Sequence, residues 1–342
     1  MNIVYSKLTR PAFIPSISEG IKLDLTKLMP HVISAIQDLG HDSVMLSVYD
    51  LTYGELLSSY GKQVAEDRKS VKQSFGFKND TTVFLDSGGL ESIKLHGRLL
   101  WNDPLDVYAF QEMAKADVWV ILDHPTQPRV QVEENKRRIR ETIEFARTIN
   151  KIHDFSVPLA AVAHGHDQES LIECAKELAR LEKVQIVAIP AREPFGTSME
   201  TKLLTLFKIR AAINEIDQDK HIHILGSARM KLWPFYVLGG VSTIDATDWL
   251  AYKANPENLS WDRHPKIVNA FCDCKVCKRF PGKTVEEICS MGPVFRLQHN
   301  LALTKLITDR IRKQLTSGNL RDYARKFNPK LYTNLMKYVP NL

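Results

Sequence analysis

The sequence predicts an α/β chain built as a (β/α)8, or TIM-type, barrel, with an inserted metal-binding segment and a basic helical tail. Three observations carry this expectation. Short apolar runs alternate with longer helical patterns, giving eight strand candidates; most of the runs end in a charged, hydrogen-bonding or glycine residue; and three of the five cysteines crowd into six positions after the alternation stops. Strands separated by helices make right-handed crossovers onto a parallel sheet, and eight of them match a closed barrel of roughly 250 residues. A doubly wound open sheet competes, but no GxGxxG follows an early strand.

In chain order the strand candidates are 13–17, 44–51, 83–86, 118–123, 159–164, 184–189, 221–225 and 241–245. Between them lie helical stretches at 132–149, where Val132, Ile139, Ile143 and Ala146 share a face, and at 169–181 and 199–216. Barrel enzymes carry their chemistry at the C-terminal ends of the strands. Those ends hold Asp50, Asp86-Ser87-Gly88-Gly89, Asp123, His164-Gly165-His166, Arg192, Gly226-Ser227 and Asp245. Polar loops explain much of this, yet an aspartate directly after a buried run needs partners. Past Asp248 the pattern breaks into a polar, proline-bearing stretch at 253–265, and helical periodicity returns at 301–315. The expected division is a catalytic barrel over 1–260, a metal-binding subdomain over 261–300, and the last barrel helix with a basic tail over 301–342.

Composition narrows the classes. With 44% hydrophobic and 25% charged residues, the chain has an ordinary globular balance, which excludes disorder. Apolar runs fall short of the roughly 18 residues a membrane span needs, and the first residues lack a secretory pattern. The expectation is a cytoplasmic protein. Of the net charge of +6, residues 301–342 contribute nine Lys/Arg against two Asp, so the rest of the chain is close to neutral. A basic end points to a polyanion partner, with a solvated helix face as the plain alternative.

Cys272, Cys274 and Cys277 form a CxCxxC cluster. Three thiolates at this spacing suit one structural zinc ion per chain, completed by a fourth ligand; the candidates are His299 and Cys289. Three unbound or redox-active thiols are the alternative. The other constellations are TVFLDSGGL with Asp86, VWVILDHPT with Asp123, and GGVSTIDATDW with Asp245 and Asp248. Taken singly, each is also an ordinary turn or cap.

Together and in this order, these motifs resemble the tRNA-guanine transglycosylase superfamily. RPAFIPS at 10–16 resembles the family's entry strand, DSGGLES at 86–92 its DSGG motif, and ILDHPT its fourth-strand aspartate motif. HILGSA at 223–228 resembles the HxxG segment, and GGVSTIDATDW the segment of the nucleophile. The resemblance implies a zinc site of Cys272, Cys274, Cys277 and His299, and exchange of guanine in a nucleic acid for a 7-deazaguanine such as 7-cyano-7-deazaguanine. It implies Asp245 as nucleophile and Asp86 as general acid/base. It implies Asp123 as acceptor for the purine N1–H and 2-amino group, with Ser87, Gly88, Gly89, His164, Ala191 and Gly226 around the base.

This chain also departs from the family. VAHGH puts His164 where bacterial tRNA enzymes have a base-reading glutamine. AIPARE replaces a Gly-Gly pair, so that Pro190 lacks an N–H and Ala191 keeps one. Leu90 stands where an aromatic is expected. ATDWLAYKANP is nearer the archaeal pattern, while the length leaves no room for archaeal C-terminal RNA-binding domains. The family's DNA branch, the 7-deazaguanine transglycosylases of phages and bacterial genomic islands, accommodates both facts. DNA is therefore the expected polymer and tRNA the alternative, with room for a homodimer and a helper ATPase. A divalent-metal hydrolase built on His164/His166, His221/His223 and Asp245 is the rival enzyme class, and a non-catalytic nucleic-acid-binding barrel the rival outside enzymes.

Overall fold

The computed structural model describes residues 10–19, 25, 27–191, 198–227, 229–257, 259–262 and 270–339. Arg192, expected at a strand end, lies outside the described residues. Strands β1 (Ala12–Pro15), β2 (Ser43–Ser47), β3 (Thr82–Asp86), β4 (Val118–Val120), β5 (Leu159–Val162), β6 (Val184–Pro190), β7 (His221–Leu225) and β8 (Val241–Ala246) form one sheet. Its order is β1-β8-β7-β6-β5-β4-β3-β2, with every neighbouring pair parallel. A bridge between Ser16 and Met45, with Ile17 N–H donating to Met45 O at 3.0 Å, joins β1 to β2 and closes the expected barrel.

Alternation along the strands divides the core in two. Ile14, Met45, Phe84, Val120, Val162 and Ile186 fill the interior. Residues one position away, such as Phe13, Leu46, Leu85 and Trp119, pack outward under the helices. The filled interior leaves the barrel's mouth as the place for a ligand.

The run at 44–51 divides where a single strand was expected. Ser47 ends β2 and its Oγ accepts from Tyr49 N–H at 3.1 Å, capping a helix Val48–Tyr53. Asp50 therefore lies inside a helix, 1% exposed, and not at a strand end. Val48 and Leu51 are buried either way, and so short an apolar run does not reveal its period. β4 and β5 also stop earlier than expected. Ile121 N–H still donates to Ala160 O (2.9 Å) and Ala163 N–H to Ala188 O (2.8 Å), so Asp123 and His164 emerge just beyond the last rungs.

The helix Val132–Ile152 buries Ile139 and Ala146 as expected, whereas Val132 is half exposed. The same helix buries three polar residues, and these grip the loop after β4. Thr142 Oγ1 accepts from His124 N–H (2.9 Å), Arg138 donates to Pro125 O (3.0 Å), and Asn135 accepts from Gln127 N–H (3.0 Å). The helix Pro293–Thr316 carries His299 and runs on to Arg312, which donates to Pro11 O at the foot of β1 (2.7 Å). Two further helices, Leu320–Phe327 and Pro329–Met336, fold back on the barrel, burying Leu320, Leu331 and Leu335. Asn334 donates to Glu200 in the first turn of the helix Met199–Asn214 (3.1 Å), so the tail climbs back toward the mouth. No helix among the described residues is long and apolar enough to cross a membrane.

Candidate active site and metal centre

At the C-terminal ends of the strands lies a cleft of about 660 Å³, lined by Asp86 from β3, Asp123 after β4, His164 after β5, Gly226 after β7 and Asp245 from β8. Three of these five strand ends bring their carboxylates to one place. Each has a different set of donors. Asp245 Oδ2 accepts from Ser16 Oγ at 2.7 Å, while Oδ1 accepts from Gly226 N–H at 2.8 Å and faces His223 Nε2 at 3.1 Å. Asp123 Oδ1 accepts from Ser87 Oγ at 3.0 Å, and Oδ2 lies 2.7 Å from His164 Nε2. Asp86 accepts from Gly88 N–H at 3.0 Å.

Hydrogen bonds to a carboxylate favour its charged form, and nearby like charges favour the protonated one. Burial pushes the Asp86 carboxyl well above the usual range, and Asp123, Glu91 and Asp245 add to the shift against the Gly88 hydrogen bond. The cleft therefore pairs an acid on β3 that holds its proton to higher pH than usual with a donor-bound carboxylate on β8. That is the equipment for protonating a leaving base while a carboxylate attacks a sugar carbon.

Packing requires both glycines of the loop after β3. A Cβ on Gly88, whose φ is +80°, would meet Tyr49 Cβ at 2.2 Å, and one on Gly89 would meet Asp123 O at 2.6 Å. They let the loop after β3 close onto Tyr49 and the loop after β4. Ser87 is fully buried behind Asp123, which it orients. Ala191 spends its N–H on Leu225 O at 2.9 Å. Asp50 lies buried, its carboxyl pushed up to about 7 by loss of solvent against a Ser18 hydrogen bond. Asp248 lines the same cleft.

Sequence reasoning missed Ser16 as a partner of Asp245, and it placed His223 in the HxxG-like segment and in a rival metal site without linking it to Asp245. The two HxH pairs do not converge. His221 lies 3.2 Å from Ser242 Oγ, whereas His223 reaches Asp245. His166 turns to Asp167 (3.3 Å), whereas His164 reaches Asp123.

The metal-ligand set is Cys272, Cys274, Cys277 and His299, whose ligand atoms all lie within 4.8 Å of one another; it is the one such cluster among the described residues. His299 Nε2 is 3.0 Å from Ala254 O, and a proton donated there leaves Nδ1 facing the thiols, 3.2 Å from Cys277 Sγ and 3.7 Å from Cys274 Sγ. Zinc–sulfur and zinc–nitrogen bonds of usual length give tetrahedral edges of about 3.6 Å, so the donors fit. Four ligands from a CxCxxC loop and a barrel helix would tie the insertion to the barrel. Cys289, the other candidate fourth ligand, is outside the cluster, and burial pushes its thiol up to about 12.

Fold and site together define a (β/α)8 barrel with an aspartate-lined mouth and a Cys3His centre. The family model of the queuine tRNA-ribosyltransferases matches residues 2–333, and the chain belongs to that family. It is similar to the tRNA-guanine(15) transglycosylase of Methanococcus vannielii, with 26% identity over 80% of this chain and 43% of that protein. The enzymes of the same name from Sulfolobus acidocaldarius (24% identity, 94% of this chain, 62% of that protein) and Methanocaldococcus jannaschii (24%, 99% and 52%) are also similar. The chain spans about half the length of these relatives. All three are tRNA enzymes by name.

Proposed function

We propose that this protein is a base-exchange transglycosylase that replaces guanine in a nucleic acid with a 7-deazaguanine. The convergence of Asp86, Asp123 and Asp245 in one cleft, each with a different donor set, carries this reading. Asp245 attacks C1′ of the nucleotide as Asp86 protonates the departing guanine, giving a covalent glycosyl-enzyme. The incoming base then gives its proton to Asp86 and displaces the carboxylate, so two inversions restore the configuration at C1′. Asp123, held by Ser87 and His164, accepts from the N1–H and 2-amino edge that guanine and 7-deazaguanines share. The target nucleotide leaves its stack to reach this depth, at a cost of a few kcal/mol.

Zinc at Cys272, Cys274, Cys277 and His299 would be structural, since four protein ligands leave no open position. The relatives support tRNA as the polymer, and the basic residues of the tail suit the phosphates of either nucleic acid. The test is incubation with radiolabelled guanine and separate tRNA and DNA pools. Label in tRNA supports the reading in full, and label in DNA alone restores the other polymer. Label in neither, with 7-cyano-7-deazaguanine also failing to enter, overturns the enzyme reading.

A further inference from the structure

We propose that His223 is a positioning residue that speeds release of the nucleic acid from Asp245, the second displacement rather than the first; the inference rests on Asp245 being the nucleophile. His223 is 2% exposed inside the barrel mouth. Its Nε2 lies 3.1 Å from Asp245 Oδ1 and its Nδ1 2.8 Å from Thr243 Oγ1, and its ring stacks on Phe84 at 24° and 6.1 Å between centroids. With the Thr243 hydroxyl donating to Nδ1, the Nε2–H is aimed at the carboxylate.

The two oxygens of Asp245 are then unequal. Oδ1 holds two N–H donors, from His223 and Gly226 (2.8 Å), while Oδ2 holds the Ser16 hydroxyl (2.7 Å). The less encumbered Oδ2 is the attacking atom. As the C1′–Oδ2 bond forms, the C1′–N9 bond breaks, its electron pair leaves with guanine, and Asp86 supplies the proton. The carboxylate becomes an ester, and Oδ1 a carbonyl oxygen that accepts hydrogen bonds poorly. In the second displacement the incoming base gives its N9 proton to Asp86 and its electron pair to C1′. The C1′–Oδ2 pair returns to the carboxylate, whose charge spreads onto Oδ1. There the His223 and Gly226 donors meet it, as fixed donors meet a developing oxyanion. Donors that bind the carboxylate more tightly than the ester favour its departure and restrain its attack. Removing one therefore leaves the ester long-lived.

The experiment uses the full chain with His223→Leu, His223→Gln, Thr243→Val and Asp245→Asn, and the polymer that wild type labels. Two quantities are read: the fraction of enzyme caught as covalent adduct on a denaturing gel, and the rate of guanine exchange. For His223→Leu, loss of a hydrogen bond to a charged group predicts exchange slowed about 10- to 100-fold, with adduct formed at least as fast as in wild type and accumulating above it. His223→Gln, whose amide N–H can replace the donor, is expected to recover most of the exchange. Thr243→Val, which frees the ring to turn, is expected to give a smaller effect of the same sign. Should the Leu variant fail to fold, the Gln and Val variants carry the comparison. Adduct formation and exchange falling together in the variants would mark His223 as merely structural and overturn the inference alone. An adduct that persists in Asp245→Asn, or never forms in wild type, overturns the nucleophile reading and the inference with it.

Discussion

Replacing Asp86 with Asn removes a proton carrier while keeping the shape of the cleft. The Asn side chain retains an oxygen for Gly88 N–H, which donates to Asp86 Oδ2 at 3.0 Å, so the loop keeps its anchor. What is lost is proton transfer itself, about 10²–10⁴ in rate, or roughly 3–5 kcal/mol of barrier. Stability moves the other way. Burial, with Asp123, Glu91 and Asp245 beside it, holds the Asp86 carboxyl well above its usual range. The native state thus keeps a proton that the unfolded chain has released once pH passes about 4. The protein loses stability as pH climbs from there to the native value, beyond which the penalty is constant. Asn has no proton to give up. The variant is therefore expected to resist urea better than wild type near pH 8, with the advantage shrinking toward pH 4. Single-turnover exchange and urea midpoints across that range measure both effects. Activity within tenfold of wild type, or a stability change of one size at every pH, would refute the assignment of Asp86 as the protonated acid.

Asp123→Asn turns one acceptor of the base edge into a donor and should raise KM for the free base about 10- to 100-fold while leaving nucleic-acid affinity in place, which base titrations and gel shifts separate. Cys274→Ser should lower zinc below one per chain and depress the thermal midpoint together, since metal binding contributes folding free energy; a zinc-loaded, fully stable variant would move the site elsewhere. Burial pushes the His41 imidazole from 6.5 down to about 4, against a hydrogen bond to Leu301 O. Its stabilising contribution, roughly 3 kcal/mol, is complete above the unfolded value and lost as pH falls through the native one, so His41→Gln should flatten the acid limb of the urea profile. In the tail, Leu331 and Leu335 are buried, so deletion would damage the barrel's surface. Changing the exposed Arg321, Arg325 and Lys326 to Gln should instead weaken nucleic-acid binding and reduce its salt slope by about 0.9 for each phosphate left without a cation.

The strands were legible because short apolar runs with a polar stop recur along the chain, and the strand-end aspartates followed from them. The helix Val48–Tyr53 was not, since the buried Val48, Tyr49 and Leu51 look the same in sequence as a buried strand. Nor were the partners of Asp245. Ser16 is 229 residues away in sequence, and only barrel closure, with Ile14 opposite Asp245 in the β1–β8 pairing, brings it there. His223 is 22 residues away, and the β7–β8 register, which sets it opposite Thr243, decides its contact. Alternation tells which face a side chain takes but not which rung of the next strand it meets. The cysteine cluster was legible because three of its ligands are local in sequence, and a usual spacing is a local property.

Three of the departures from the resembled family pattern fall in one place. Leu90, His164 and Pro190 all line the same cleft as the three carboxylates. The residues proposed for chemistry, Asp86 and Asp245, and those proposed for zinc keep the family's identities. A chain that had drifted freely would lose a buried, donor-bound carboxylate as readily as a rim residue, because an unneeded charge there lowers stability. Asp245 is 5% exposed and keeps three donors. Its retention supports the proposed displacement chemistry. Around it, an aliphatic side chain replaces a ring, an imidazole bound to Asp123 at 2.7 Å replaces an amide, and a proline removes a donor. Each substitution alters how a flat heterocycle is stacked or edge-read, and none touches the proton or the nucleophile. Under the proposed function, substitutions concentrated on that surface bear on which base is taken rather than on the displacement itself.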